Sequence, residues 1–164
     1  MITRGAVLPI EDRVIELMNS DEIATIAKEL SVHAKKNGRS QQEVFENSVP
    51  SLAIEHAALE YFAKTLNSKF EWPAPNVFHY DGKLNGVLVD VKTRFGGRYW
   101  QQTPWEVKTI ADTGDKVLYI CIDLLPAAYK FMGCIWGSDL LPSQHGSPYA
   151  VADIMKELPN PIQG

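Results

Sequence analysis

The stretch that most constrains the fold is residues 75–94, which reads Pro-Asn-Val-Phe-His-Tyr-Asp-Gly-Lys-Leu-Asn-Gly-Val-Leu-Val-Asp-Val-Lys-Thr-Arg. Two apolar, β-branched runs, 77–80 and 87–91, flank a turn rich in Asp, Gly and Asn, the local signature of a β-hairpin. In the second run Val87, Val89 and Val91 point to one face and Leu88 to the other, so this strand belongs inside the protein. Asp90 and Lys92 nevertheless stand at its end, two residues apart and therefore on one face. A carboxylate and an ammonium emerging together from a buried strand are costly unless they are paired or bind a metal. Chemistry is to be sought there.

The rest of the chain can support such a strand. With 164 residues it reads as one domain, 1–164, large enough for a real core. Hydrophobic content of 45% and charged content of 22% are ordinary for a globular protein. No apolar run approaches the roughly 18–20 residues of a membrane helix, and the first residues do not read as a signal peptide. Cys121 and Cys134 fall in apolar, strand-like runs with no Cys-x-x-Cys spacing, and read as buried reduced thiols. The expectation is a cytoplasmic, intracellular protein that does not engage a membrane.

The net charge of −4 argues against a protein that coats nucleic acid. Its distribution is uneven. Between Lys83 and Lys108 five basic residues meet two acidic ones, a local +3 that leaves −7 elsewhere. A basic surface on an acidic body suits contact with a phosphate backbone at one place; ordinary scatter of surface charge is the alternative.

Residues 1–49 form an N-terminal helical segment. Ile10, Val14 and Leu17 share a face in a first short helix. Ser20 caps a second, with Asp21 and Glu22 in its first turn, where the helix dipole favours acids. Its stripe is Ile23, Ile26, Ala27, Leu30 and Ala34. Ser40-Gln-Gln-Glu43 is a capping box that opens a third, short helix.

A separate helix is expected over about residues 50–67. Leu52, Glu55, Leu59, Phe62 and Leu66 are spaced by three and four and form one stripe. His56, Glu60, Lys64 and Asn67 form the polar stripe, with Glu60–Lys64 as an i,i+4 pair. Glu55 is thus an acid on the core-facing side, where burial without a partner would cost stability. It is a candidate metal ligand, with a structural salt bridge as the alternative.

A strand over 69–72 ends at Pro73 and Pro75, and the hairpin follows. A loop over 95–98 breaks the sheet. Tyr99, Trp100, Gln101 and Gln102 offer stacking faces and amide donors suited to nucleotides, or else core aromatics. Thr103-Pro104-Trp105-Glu106 starts a helix. Strands are expected over 117–122 and 131–136, and a last helix from Ser147 to about Leu158. Regions 50–136 and 137–164 are read as the core and as a C-terminal loop and helix. The order of elements makes a mixed α/β sheet flanked by helices.

Asp-x-Lys alone carries little information, and Glu106-Val107-Lys108 is a second copy. Glu106, however, completes a capping box, whereas Asp90 and Lys92 have no such structural account. A core-facing helical acid followed by an apolar hairpin ending Val-Leu-Val-Asp-Val-Lys-Thr resembles the PD-(D/E)XK, or restriction-endonuclease-like, nuclease superfamily. The resemblance covers about residues 48–136 and is clearest over 75–94.

It implies a restriction-endonuclease-like mixed β-sheet and a Mg²⁺- or Mn²⁺-dependent deoxyribonuclease that hydrolyses DNA phosphodiester bonds. Glu55, Asn76 and Asp90 would be metal ligands and Lys92 the catalytic lysine that positions the attacking water, so the catalytic set is Glu55, Asp90 and Lys92. Arg94, Arg98, Trp100, Gln101 and Gln102 would hold the DNA. A structure-specific or end-processing enzyme fits a small domain better than a stand-alone restriction enzyme, and a homodimer is compatible with it. Two other classes remain open: a non-catalytic DNA-binding module on the same fold, and a protein-interaction domain that uses Asp90 and Lys92 structurally.

The chain departs from the family at one place. The usual Pro-Asp is Pro75-Asn76 here. A turn centred near Lys83 and Leu84 would set Asp81 against Asn85 or Gly86, on the order of 13–17 Å from Asp90 at about 3.3 Å per residue. The same register sets Asn76 across from Asp90 or Val91, within about 5–6 Å. On that arithmetic Asn76 takes the ligand position and Asp81 is a turn residue. An Asn oxygen brings no formal charge, so metal affinity and turnover should fall. Asn76 then reads as an inactivating Asp→Asn change, a weaker site or lost catalysis.

Overall fold

The computed structural model describes residues 2–35, 40–72, 81–95, 99–101, 116–141 and 149–163, with the backbone alone for 33–35, 95 and 99–101. Contacts divide the chain into two units, Pro9–Glu60 and the pair Met1–Leu8 with Tyr61–Gly164. The architecture is mixed α/β.

The first unit is helical. It holds α1 (Glu11–Met18), α2 (Asp21–Lys35) and most of α3 (Gln41–Thr65). Acidic residues occupy the first turn of each, on the favourable side of the helix dipole. Ser20 caps α2 as its sequence suggests, its Oγ accepting the Ile23 N–H at 3.2 Å. Val14 and Leu17 of α1 and Ile23 and Ala27 of α2 are buried.

The third short helix and the separate helix expected after it are one. Pro50 lies inside α3 and does not end it. An interior proline forfeits one backbone hydrogen bond and costs about 3 kcal/mol. Burial of Leu52, Ala53, Ile54, Ala57, Ala58 and Leu59 just beyond it outweighs that cost. The same burial claims His56, which belongs to the polar stripe by spacing yet is 6% exposed. Nor is Glu60 held by Lys64. It receives the Arg13 guanidinium in a fork, Nε to Oε2 at 2.8 Å and Nη2 to Oε1 at 3.0 Å. These hydrogen bonds, with that to Glu16, raise the Arg13 pKa further above its already high ordinary value.

The second unit is built on a six-stranded mixed sheet. In chain order its strands are β1 (Val7–Leu8), β2 (Phe70–Glu71), β3 (Gly82–Leu84), β4 (Val87–Phe95), β6 (Leu118–Leu125) and β7 (Ala128–Trp136). Their order in space is β1-β7-β6-β4-β3-β2, with β4 and β6 parallel and every other pair antiparallel. A separate ribbon joins β5 (Tyr99–Gln101) to β8 (Tyr149–Val151).

Both faces of the sheet are apolar where they are deepest. Val91 stands beside Ile120 and Ile122 beside Phe131, and Phe62 meets Phe131 edge-on at 5.7 Å. On the other face Val117, Tyr119, Cys121 and Ile135 pack with Ala150 and Met155. Gly133, at φ +131°, makes room for that layer: a Cβ there would stand 2.8 Å from the Met155 Cβ. As the sequence suggests, Cys121 and Cys134 are buried thiols in neighbouring strands, unpaired by any disulfide.

Of the helix expected from Ser147 to Leu158, the described part, 149–158, is instead β8, a 3-10 turn over Ala152–Ile154 and extended chain, followed by the short α4 (Asn160–Gln163). The edge of β7 decides this. Lys156 exchanges both backbone hydrogen bonds with Cys134 at 2.8 Å, and Arg4 clamps the segment by donating to Ala152 O and Met132 O. Backbone groups satisfied by a neighbouring strand have no need of a helix. The expected strand over 77–80 and the helix from Thr103 lie outside the described residues. No helix among the described residues is long and apolar enough to cross a membrane.

Burial pulls the His56 pKa down to about 4; Glu60 opposes the fall and Arg13 adds to it. The unfolded chain takes up this proton near pH 6.5, whereas the folded chain resists until about 4. His56 therefore contributes nothing adverse above about pH 6.5 and destabilises the fold as pH falls toward 4. Urea melts should lose roughly 2–3 kcal/mol between about pH 7.5 and 4.5 from this group. The His56→Leu variant should show a correspondingly flatter profile.

Candidate active site

The site begins with the turn between β3 and β4. Asn85 and Gly86 both have positive φ, +48° and +80°. That is the type I′ geometry whose twist matches antiparallel strands, and Asn-Gly is its preferred pair. The register follows without freedom: Leu84 faces Val87, Lys83 faces Leu88 and Gly82 faces Val89. The turn is thus centred two residues later than near Lys83 and Leu84, which are strand residues. Asn85 also anchors it, accepting the Lys69 N–H at 2.7 Å and donating to Ser68 Oγ and Pro161 O.

This register corrects the reading of Asp81. The next position beyond the Gly82–Val89 pair brings Asp81 beside Asp90, not 13–17 Å from it. The Asp81 N–H donates to Val89 O at 2.9 Å, and its Oδ2 accepts the Val91 N–H at 2.7 Å. Asp81 therefore grips the residues on either side of Asp90. The local cause is plain. A backbone N–H inside a sheet needs an acceptor, and for Val91 the Asp81 carboxylate supplies one. A neutral Asn or Ser oxygen would serve that purpose as well, so the backbone bond alone does not account for a charge.

Asp90 is 8% exposed. Its Oδ2 lies 3.0 Å from Lys92 Nζ, with the two side chains only 12% and 17% exposed. The pair lies on a strand bonded to β3 on one side and β6 on the other. Two charges so far from water are tolerable because they face each other. On β6, Cys121 stands beside Lys92. Burial pushes its thiol up to about 12, against the pull of Arg94 and Lys92. Cys121 is a packing residue, not a nucleophile.

The expected residues are brought together unevenly. Asp90 and Lys92 are in contact, and Arg94 follows on the same strand face, exposed, its Nη1 donating to Thr93 O at 2.7 Å. Glu55 is half-buried on α3, in the helical unit. Trp100 and Gln101 belong to β5, their backbones paired with Ala150 and Tyr149. Asn76, Arg98, Gln102 and the Glu106-Val107-Lys108 copy lie outside the described residues. Asp81 was legible only through the Asn-Gly dipeptide, which sets the register once it is placed at the tip of the turn.

Among the described residues, no three His, Cys, Asp or Glu side chains are gathered as a ready metal cage. The Asp90 carboxylate meets Lys92 and the Asp81 carboxylate binds the N–H of Val91 between them; such hard oxygens suit Mg²⁺ or Mn²⁺ rather than a thiophilic ion. Mg²⁺ is commonly held by one or two carboxylates, with waters and substrate phosphate as its other ligands. A carboxylate offers about four lone-pair directions, so accepting the Val91 N–H is compatible with binding a cation. No protein-family model matches the chain, and no curated protein matches its sequence.

Breaking the Asp90–Lys92 pair takes away a close counter-charge in a nearly dry site. Lys92→Met and Asp90→Leu should each destabilise the protein by about 3 kcal/mol, whereas the double variant should recover most of the loss. Denaturant melts of the three proteins check this.

Proposed function

We propose that the protein is a Mg²⁺-dependent deoxyribonuclease of the restriction-endonuclease-like type. The observation that carries this reading is the Asp81 carboxylate docked across β4 beside the buried Asp90–Lys92 pair. With Asp81 in the second acidic position, the pattern of acid, hairpin, Asp-x-Lys needs no contribution from Asn76. A hairpin antiparallel on one side of β4 and a parallel strand on the other supports the same reading.

Asp81 and Asp90 would hold the ion. A bound ion would supply an activated water and offset charge on the phosphate. The chain's own residues do the rest. The Lys92 ammonium orients the attacking water and stabilises the negative charge that builds at phosphorus. Its contact with Asp90 holds it against the sheet face. Arg94, exposed two residues further on, pairs with a backbone phosphate and sets the strand in register with the site.

The test is cleavage of plasmid and linear DNA with Mg²⁺ or Mn²⁺. Asp81→Asn, Asp90→Asn and Lys92→Ala should each lower the rate by about 100-fold or more. Asp81→Asn keeps an oxygen for the Val91 N–H, so its loss reads on charge. Asn76→Asp should change the rate by no more than a few-fold. Undiminished cleavage by Asp90→Asn, or none by the wild-type chain, would sink the proposal. Binding that weakens steeply with salt but never leads to cleavage would instead identify a non-catalytic DNA-binding module.

A further inference from the structure

Lys83 carries a charge that the proposed chemistry does not use. By spacing it falls in the hairpin turn; the register instead makes it the middle residue of β3, opposite Leu88 on β4 and Glu71 on β2. Paired residues share a face of the sheet, and Leu88 and Asp90 alternate with Val89, so Lys83 rises from the face that carries Asp90. Asp81, two residues before Lys83, belongs to the same face. Lys83 is exposed. Its cross-strand neighbour Glu71 already meets Lys69, at 3.4 Å. The Lys83 ammonium enters no ion pair or hydrogen bond among the described residues.

Position matters more here than exposure. Along this face Lys83 comes first, beside Leu88; Asp81 and Asp90 follow, then Lys92, then Arg94. At about 3.3 Å per residue, Lys83 lies about 7 Å before the Asp90 position and Arg94 about 13 Å beyond it. The two carboxylates thus stand between two basic positions. A DNA strand carries one phosphate per about 3.4 Å of duplex axis, so a stretch of about 20 Å spans several of them. Carboxylates in the middle of that stretch repel the strand unless cations on either side offset them. On the hairpin side Lys83 can do so, because the charge of Lys69 is shared with Glu71. On the other side the Arg94 guanidinium has five N–H donors, enough to add a phosphate to the bond it gives Thr93 O.

We propose that Lys83 holds a backbone phosphate of the substrate strand on the opposite side of the cleavage centre from Arg94. The strand then runs through the site, and the bond cut is an internal phosphodiester. A strand gripped on both sides of the reacting phosphate needs no free end, so the activity is that of an endonuclease. This rests on the nuclease reading of Asp81, Asp90 and Lys92, and adds to it the way the substrate lies.

Two readouts test it, one of which needs no turnover. Binding of a duplex oligonucleotide is followed by fluorescence anisotropy at several salt concentrations without divalent ions. Lys83→Gln should lower the slope of log K against log[salt] by about 1, the share of one phosphate contact. Lys64→Gln, an exposed lysine of α3, should leave the slope unchanged. An unchanged slope in Lys83→Gln overturns the proposal whatever the cleavage assays give. With Mg²⁺ or Mn²⁺, a covalently closed circular plasmid should be cut within about threefold of the rate of its linear form. Lys83→Gln should raise KM for DNA about five- to tenfold with kcat within about twofold, the mark of a contact made equally before and during reaction. Digestion of the linear form with the closed circle untouched overturns the proposal and leaves the nuclease reading standing. No cleavage of either form by the wild-type chain overturns both.

Discussion

The two-residue turn at Asn85 and Gly86 governs the arrangement of the sheet's polar residues. Both residues hold left-handed backbone conformations, which leaves the hairpin a single register. A slip of one residue would exchange the faces of every side chain on β4. Valines would face the Met155 layer, and Asp90 and Lys92 would face Phe62. Three side-chain hydrogen bonds from Asn85 tie the turn to Lys69, Ser68 and Pro161. The tip of the hairpin is therefore locked to β2 and to the start of α4.

That register also explains how charge is tolerated inside a sheet. Along one face the composition changes from apolar to polar in the direction of β4. Leu88 packs with the Val117, Tyr119 and Ile135 cluster, then Asp90, Lys92 and Arg94 follow in turn. Each polar group on this path has its own means of accommodation. Asp90 and Lys92 neutralise each other, Asp81 accepts the Val91 N–H, and Cys121 remains a protonated thiol. The buried Asp123 Oδ1 accepts no hydrogen bond among the described residues.

Much of this was legible. The Ser20 cap, the stripe of Leu52, Leu59, Phe62 and Leu66, the buried cysteines and the strands around Ile120 and Ile135 all follow from local chemistry and period. The misreadings share one cause. Pro50 was expected to separate helices, His56 to face solvent, and residues 147–158 to coil into a helix. In each case local preference gave way to burial or to a neighbouring strand edge. The turn was different, since Asn-Gly carried the right signal and the error lay in centring the hairpin two residues too early.

By itself the sequence determined which residues could be strands and helices, that Asp90 and Lys92 would emerge together from a buried strand, and that the chain would build a mixed α/β sheet. These follow from the period of two in a strand and from the cost of burying charge. Only the tertiary structure decided which carboxylate stands beside Asp90, because strand pairing magnifies a two-residue uncertainty in the turn into a displacement along the partner strand. It also decided that β6 carries Asp123 alongside the polar row. A parallel neighbour more than twenty residues away in the chain has a register that no local pattern records.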